Sequence, residues 1–415
     1  MYKHLKHHYL TLICIGGVSA MVSCGEPSTH SPEGKPDSTA APVETSKANS
    51  DYKPAFAGQT RIGSVKTVTP YEYKVLDSTL KSPWGITSLP DGRLIITEKS
   101  GVLRIASPEG KLSEPITGIL PVKLAGQGGL LGIRVDPDFG NNRMVYWVFS
   151  EERPEGGTLT AVAKGKLSAD EKKIENATVI YRATPAHKSD LHYGGRIVFD
   201  KEGNLLVSTG ERSDLETRPQ AQDLKSGLGK IVRITKDGQP AAGNPFAGKS
   251  DVRPEIYSYG HRNVQGLAFN PATGDLWETE FGPRGGDELN RIEPGKNYGW
   301  PIITYGIEYS GGKVGDSLQQ KAGLEQPAYY WDPVISPSGI TFYSGDGFPE
   351  WKNNLFIASL SRTHIARLVI ENNKVVGEER LLADQGQRFR DITEGKDGAL
   401  YAVTDMGRLY RIAKK

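Results

Sequence analysis

The feature that most constrains the fold of this chain is a pattern that recurs six times after about residue 66. Each copy has a short apolar strand, a turn of Asp, Pro and Gly residues, and a second strand rich in β-branched and aromatic residues. Successive copies are roughly 50 to 70 residues apart, a period typical of blades arranged around an axis. The copies begin at Trp84, Gly132, Gly195, Gly266, Gly339 and Asp391.

These repeats predict an all-β fold. Further strands between the copies allow four short strands in each repeat, and the sequence has no long amphipathic helix pattern. We therefore predict a six-bladed β-propeller with four-stranded antiparallel blades, and we expect a strand within Tyr71 to Leu80 to complete the last blade. A two-sheet sandwich is the alternative, but it does not explain six copies with the same turn chemistry.

The N-terminal residues predict export. Lys3 and Lys6 precede an apolar run from Leu10 to Val22, which is shorter than the roughly 20 residues that a membrane span needs. The run leads to Met21-Val-Ser-Cys24, which resembles a bacterial lipobox. We predict a lipoprotein that is anchored through Cys24 and faces the periplasm or the cell surface. The alternative is a secretory signal that is cut near Ser23.

The predicted domains follow from this signal and from the repeats. Residues 1–24 form the signal peptide, and residues 25–65, rich in Ser, Thr, Pro, Lys and Ala, are predicted to be a flexible tether. Residues 66–415 form the propeller, which is the predicted catalytic domain. No cysteine follows Cys24, so this domain has no disulfide, thiolate metal site or catalytic thiol. A net charge of +2 without a basic block argues against a nucleic-acid partner.

Polar motifs stand just before the turn of several repeats. Because the inner strands of all blades converge on the axis, residues at these positions are expected to meet at one mouth of the central channel. The candidates are Gln127 before the second copy, His192 before the third, Arg262 and Asn263 before the fourth, Trp331 before the fifth, and Arg388 and Arg390 before the sixth.

Each candidate has a functional and a structural interpretation. His192 is a candidate general base, since an imidazole accepts protons near neutral pH, although a structural histidine is the commoner case. The three arginines could clamp carboxylates or could form surface salt bridges. Trp331 could stack on a sugar ring or pack in a blade core.

A glycine-rich stretch offers a possible cation site. Gly282-Pro-Arg-Gly-Gly-Asp-Glu288 combines free-facing carbonyl groups with acidic side chains. Ligation by oxygen alone suits Ca²⁺, whereas the structural interpretation is a loop that is capped by Asp287. The cysteine and histidine groupings do not indicate zinc.

Taken together, the motifs closely resemble those of the soluble quinoprotein aldose (glucose/sorbosone) dehydrogenases, which use pyrroloquinoline quinone (PQQ) and calcium. The similarity runs from about Trp84 to Ile412. It includes Gly126-Gln-Gly-Gly-Leu-Leu131, His192-Tyr-Gly-Gly-Arg196, Gly260-His-Arg-Asn263, Gly282-Pro283, Lys296-Asn-Tyr-Gly-Trp-Pro301 and Arg388-Phe-Arg-Asp391. The family fold is a six-bladed propeller, in agreement with the repeats.

The resemblance implies a function. An aldose would lose the proton of its anomeric hydroxyl group to His192 and the hydride of the same carbon to PQQ, giving a lactone, with Arg262 steadying the developing oxyanion. Ca²⁺ would act as Lewis acid, held by backbone oxygens of Gly282 and Pro283. Electrons would then pass to an unidentified acceptor, a quinone or a cytochrome. Contacts to PQQ are implied for Gln127, Asn263, Arg388 and Arg390.

Three positions depart from the family pattern. Ser361 stands where relatives have a cofactor-binding Lys, Leu191 where they have Asp or Asn, and Val264 where they have Pro. The first bears on cofactor affinity and the second on the pKa of the base or on substrate contacts. Two other functional classes remain open: a calcium-dependent propeller hydrolase such as a lactonase, and a non-catalytic propeller that binds glycans or proteins.

Overall fold

A computed structural model describes residues 40–415 of the chain. The predicted signal peptide and the lipidation site Cys24 lie outside the described residues. Within residues 40–415 no helix is long and apolar enough to cross a membrane. Six antiparallel sheets account for nearly all of the regular structure, which confirms the predicted six-bladed propeller.

Within each blade, the strands are arranged side by side from the axis to the outside of the molecule. In chain order they are β1 (Tyr71–Asp77), β2 (Pro83–Ser88), β3 (Leu94–Glu98), β4 (Val102–Ala106), β5 (Leu130–Val135), β6 (Met144–Glu152), β7 (Thr158–Leu167), β8 (Ile174–Arg182), β9 (Gly194–Phe199), β10 (Leu205–Thr209), β11 (Lys230–Ile234), β12 (Ile256–Tyr259), β13 (Val264–Phe269), β14 (Leu276–Glu280), β15 (Asp287–Ile292), β16 (Tyr329–Trp331), β17 (Pro337–Phe342), β18 (Leu355–Ser359), β19 (Ile365–Glu371), β20 (Lys374–Leu381), β21 (Phe389–Glu394), β22 (Leu400–Thr404) and β23 (Leu409–Lys414). Helical structure among the described residues is limited to a short α1 (Phe139–Asn142) and the 3₁₀ turns Arg218–Ala221, Pro349–Trp351 and Ala383–Gln385.

Five blades have four strands, namely β5–β8, β9–β12, β13–β16, β17–β20 and the sheet β21–β22–β23–β1. The last of these confirms the predicted early strand, since Tyr71 lies opposite Lys414 and β1 closes the ring. The first blade has β2, β3 and β4. Its outer edge is covered by two single bridges, from Leu103 to Ile116 and from Ala106 to Leu112.

The hydrophobic core lies between neighbouring sheets. One cluster, for example, joins Ile95 and Leu103 of the first blade to Trp147 and Val145 of the second. Each blade is therefore covered on both faces, and inner strands such as β3 are buried along their whole length. The innermost strands β2, β5, β9, β13, β17 and β21 contact one another in a closed ring.

A buried ion pair crosses this ring. The Arg196 guanidinium lies 2.6 Å from Asp391, and both side chains are nearly inaccessible to solvent. Arg196 also donates to the Gln265 carbonyl oxygen at 2.8 Å, and the other contact of the Asp391 oxygen is the Ile86 N–H at 2.8 Å. The guanidinium lies 4.4 Å from the centre of the Trp84 ring. These contacts join the first, third, fourth and sixth blades at the axis.

Residues 40–65, which we call the strap, lie against the outer parts of the fourth and fifth blades. Gln59 is completely buried, and its side chain donates to the Pro327 carbonyl oxygen at 3.0 Å. Glu44 pairs with Arg380 at 3.0 Å, and the Val65 N–H donates to the Glu378 carbonyl oxygen. The tether predicted for residues 25–65 is thus corrected in its described part: hydrogen bonds hold residues 40–65 on the propeller.

Candidate active site

A cavity of about 440 Å³ opens at the mouth of the channel. We call it the first cavity. It is lined by Trp84, Lys99, Gly126, Gln127, Tyr193, Gly194, Gln265, Phe281, Tyr309, Ser336, Leu360, Arg388, Arg390 and Asp405. Residues within or beside all six repeats therefore meet here, as the position of the motifs before each repeat predicts.

His192 is buried beside this cavity, directly after Leu191 and before the lining residue Tyr193. Its backbone has a φ of +47°, a left-handed conformation that is uncommon for residues other than glycine. The backbone N–H donates to the Gln127 side chain at 2.8 Å. A Cβ on Gly210 would lie 2.1 Å from the His192 carbonyl oxygen, so the close approach of these two segments requires glycine there.

The imidazole of His192 forms a pair with Glu211. The distance from Nδ1 to the carboxylate Oε1 is 2.5 Å, and both groups are buried. An ionised Glu211 accepts the proton of Nδ1 and leaves the lone pair on Nε2. A protonated Glu211 donates to Nδ1 instead and places the imidazole proton on Nε2. The protonation state of Glu211 therefore decides whether Nε2 can act as a base.

The surroundings set the charges of this pair. Burial, reinforced by Arg262, Arg212 and Arg218, lowers the pKa of His192, so the imidazole is neutral at neutral pH. Burial raises the pKa of Glu211 to about 7, against the opposing effect of Arg262. The carboxylate thus changes its charge in the range where an imidazole base is useful.

Arg262 connects this pair to the glycine-rich loop. Its backbone carbonyl oxygen accepts the Glu211 N–H at 3.0 Å. Its guanidinium donates to the carbonyl oxygens of Phe281 at 2.9 Å and Gly282 at 2.8 Å, while the buried Nε has no partner among the described residues. Glu280 anchors the backbone of Arg262. Arg262 is therefore close both to the predicted base and to the predicted cation site.

Arg388 and Arg390 lie on one face of the last blade, as their strand spacing predicts. Both donate to Asp405, at 2.9 Å and 2.8 Å. Burial acts to raise the pKa of Asp405, but Arg390 and Arg388 lower it. Lys99 adds a third cation to the cavity wall, and burial together with Arg390 lowers its pKa. One carboxylate thus faces three cationic side chains, a balance that suits an anionic ligand.

A second cavity, also of about 440 Å³, lies beside the first and shares Phe281, Tyr309 and Ser336 with it. Its remaining lining residues are Asn49, Gly282, Pro283, Arg284, Asp287, Pro333, Val334, Ser361 and Arg362. Both Asp287 oxygens accept backbone N–H groups, from Gly282, Ile335 and Ser336. This carboxylate therefore holds the loop, in line with the capping interpretation, although burial raises its pKa to about 7.

Gln127 and Asn263 differ in their access to the ligand space. Gln127 lines the first cavity. Asn263 is completely buried and accepts the Gly194 N–H at 3.0 Å and the Gln265 side-chain N–H at 3.1 Å. Asn263 therefore supports the cavity wall from behind. Its side chain does not line the cavity in which it was predicted to contact a cofactor.

Trp331 is not brought to this site. It is 3% exposed, lies in the outermost strand β16, and packs edge-to-face on Tyr329 with ring centres 5.1 Å apart. Its neighbours form the core between the fourth and fifth blades. The prediction of a sugar contact at Trp331 is corrected, because the indole fills a blade core and lines neither cavity.

Two site residues were missed at the sequence level. Glu211 belongs to Gly210-Glu-Arg212, which lacks a recognisable motif, and only its position just after the β10 strand of the third repeat could have drawn attention. Lys99 likewise follows β3 directly. Both stand where an inner hairpin returns to the mouth of the channel, so position in the repeat was the available signal.

The donor set fits a planar polyanion better than a free metal ion. The first cavity offers cations and amides, and the buried Arg262 Nε is unpaired among the described residues. At the predicted calcium site, the Gly282 carbonyl oxygen already accepts from Arg262 and Asp287 is occupied. A calcium ion there would depend on further oxygens from a bound ligand.

The fold and the site thus combine a six-bladed propeller with a basic cavity and a buried histidine at its axial mouth. The sequence profile described as Glucose / Sorbosone dehydrogenase matches residues 80–411. This match covers most of the chain, and the chain belongs to that family.

Relatives support the assignment. The aldose sugar dehydrogenase YliI of Escherichia coli (strain K12) is 42% identical over 346 residues, which cover 82% of this chain and 92% of the relative. The crystal structure of the soluble aldose sugar dehydrogenase of Escherichia coli in its apo-form has a TM-score of 0.79 and covers 83% of this chain and 100% of that one. The PQQ-bound aldose sugar dehydrogenase of Streptomyces coelicolor is 30% identical, with a TM-score of 0.67 and coverage of 84% and 99%.

Proposed function

We propose that this protein is a PQQ-dependent aldose dehydrogenase that oxidises the anomeric hydroxyl of an aldose to a lactone. The observation that carries the proposal is the buried pair of His192 and Glu211 beside Arg262, at the mouth of a cavity with three cationic side chains. Membership of a family that includes a PQQ-bound aldose sugar dehydrogenase supports it.

Each residue has a part in the proposed reaction. His192 accepts the hydroxyl proton at Nε2, while Glu211 holds the proton of Nδ1. Arg262, whose guanidinium lies beside the Gly282 carbonyl group, would stabilise the oxyanion that develops in the reaction. PQQ, when bound, supplies the two-electron acceptor for the hydride.

The cationic and amide groups of the first cavity would hold the cofactor. Arg388 and Arg390 are oriented by Asp405 and would meet its carboxylates, with Lys99 and Gln127 as further contacts. Ca²⁺ would be held by backbone oxygens of Gly282 and Pro283 together with oxygens of the cofactor, and would polarise it as a Lewis acid. The physiological acceptor that reoxidises the cofactor would be a quinone or a cytochrome.

The test uses the purified chain, PQQ, Ca²⁺ and an artificial electron acceptor. We expect aldose-dependent reduction of the acceptor, and we expect His192→Ala to lower kcat by about 10²–10⁴-fold, the usual contribution of a general base. His187→Ala is the matched control, because His187 lines neither cavity. Hydrolysis of lactones without PQQ would indicate a hydrolase instead, and failure to bind PQQ would indicate a glycan- or protein-binding propeller.

We also propose that the protein is exported and carries a lipid on Cys24. The support is the sequence Met21-Val-Ser-Cys24 after a short apolar run. Metabolic labelling with a radioactive fatty acid in a bacterial host is expected to mark the unaltered protein but not the Cys24→Ser variant. Equal labelling of the two proteins would contradict this proposal.

A further inference from the structure

We propose that the strap is part of the ligand-binding site: Asn49 positions Arg284 at the rim of the second cavity, where Arg284 and Arg362 bind a further carboxylate of the cofactor, beyond those at Arg388 and Arg390. This inference rests on the proposed function for the identity of the ligand. The strap lies outside residues 80–411, over which the family profile matches.

The first step of the argument is that the strap is fixed at the cavity. The Asp332 side chain is 5% exposed and receives four hydrogen bonds from two neighbouring strap residues. Asn49 donates its backbone N–H and its Nδ2 to Asp332 Oδ1 at 2.9 and 2.8 Å. Ser50 donates its backbone N–H and its hydroxyl to Oδ2, both at 3.1 Å. An ionised acceptor makes these bonds stronger than neutral ones.

The second step links these hydrogen bonds to the glycine-rich loop. A Cβ on Gly285 would lie 2.7 Å from Asp332 Oδ1, so Asp332 sits directly against the loop that contains Gly282 and Pro283. The Asn49 side-chain oxygen accepts from Arg284 Nε at 3.3 Å. Asn49 therefore donates its side-chain N–H to Asp332 and accepts from Arg284 with its side-chain oxygen. These two bonds fix the direction of the Arg284 guanidinium.

The third step concerns charge. Arg284 and Arg362 both line the second cavity, and among residues 40–415 neither forms an ion pair with a carboxylate. Among the described residues that line this wall, the one carboxylate is that of Asp287, which accepts backbone N–H groups. Two unpaired guanidinium groups beside a shared cavity wall favour a carboxylate-bearing ligand. Ser361, which lines the same wall, contributes no charge.

The test measures binding of PQQ to the full chain in the presence of Ca²⁺, by quenching of tryptophan fluorescence. Arg284→Gln and Arg362→Gln are each expected to raise the Kd about tenfold, as for the loss of a charge-assisted hydrogen bond. Asn49→Ala is expected to raise it about threefold, because it leaves the charge but loosens its position. In the two arginine variants the dependence of the Kd on ionic strength is also expected to weaken, because each variant removes one cation from the cavity wall.

Ser50→Ala is the matched control. It removes a hydrogen bond to the same Asp332 carboxylate but leaves the contact between Asn49 and Arg284 intact. It is expected to lower the melting temperature about as much as Asn49→Ala and to leave the Kd for PQQ unchanged.

The outcomes separate the two proposals. Unchanged Kd values in the arginine variants, or an equal loss of affinity in Ser50→Ala and Asn49→Ala, would overturn the inference alone. Failure of the unaltered chain to bind PQQ would overturn the proposed function, and this inference with it.

Discussion

At the scale of single residues, a buried imidazole can accept a proton on one nitrogen only if the proton on its other nitrogen has an acceptor. Glu211 is that acceptor for His192, at 2.5 Å. The same burial that keeps His192 neutral also makes Glu211 hard to ionise. The pH at which the enzyme works should therefore be set by the carboxylate and not by the histidine.

This argument gives a pH dependence with a definite sign. The raised pKa of Glu211, about 7, means that the carboxyl group is protonated below that pH and places the imidazole proton on Nε2. We expect kcat/KM to rise with pH through about 7 and then to level off. In Glu211→Gln the rise is expected to disappear and kcat/KM to fall by about 10²-fold or more, since the amide N–H can donate to Nδ1 and so keep the imidazole proton on Nε2.

The measurement is a pH profile of kcat/KM for the unaltered chain and for Glu211→Gln. Glu216→Gln is the control, because Glu216 is exposed and lines neither cavity. A profile for Glu211→Gln that keeps the inflection near pH 7 would assign that titration to another group.

At the scale of elements, the repeats predicted the strands well because each inner strand is buried on both faces and must be apolar. The closure by β1 was predictable from the count of blades. The strap was not, because it is held by hydrogen bonds and has little apolar periodicity; its composition is that of an unstructured segment. Trp331 was placed wrongly for a related reason, since an aromatic side chain next to a turn has the same sequence pattern in a core as in a sugar site.

The strap offers a prediction about stability. Gln59 accepts from the Ala55 N–H at 2.7 Å and the Tyr305 hydroxyl at 3.1 Å, and donates to Pro327. Gln59→Ala leaves these buried groups unpaired and is expected to lower the free energy of unfolding by about 1–3 kcal/mol. Urea denaturation measures this change. Gln320→Ala, on the exposed surface, is expected to change it by less than about 0.5 kcal/mol; similar values for the two variants would mean that the strap is not bound in solution.

At the scale of the whole molecule, two features connect the six sheets: apolar packing between neighbouring blades and a buried ion pair across the axis. Arg196 and Asp391 each stand at the end of a motif in the sequence, but the pair joins strands that are 195 positions apart. No local pattern could have revealed such a contact. The sequence therefore predicts the blades and the mouth at which they meet, but not the charges that couple them.

The axial pair is expected to be important for stability. Asp391→Asn leaves the buried Arg196 without its counter-charge and is expected to lower the free energy of unfolding by about 3–5 kcal/mol. Asp397→Asn, which breaks an exposed pair with Arg411, is expected to cost less than about 1 kcal/mol. Thermal and urea denaturation of the two variants measure the difference, and equal losses would show that the axial pair does not couple the blades.

The pairing of β1 with β23 places the two ends of the propeller side by side. During synthesis, the earliest strand of the propeller has no mate until the final one has been made. A chain that stops before Leu409 therefore leaves β1 without its partner strand and the last blade incomplete. The last blade can therefore be completed only late in synthesis, and prematurely terminated products are expected to be cleared by proteases and not to persist as partly active enzyme.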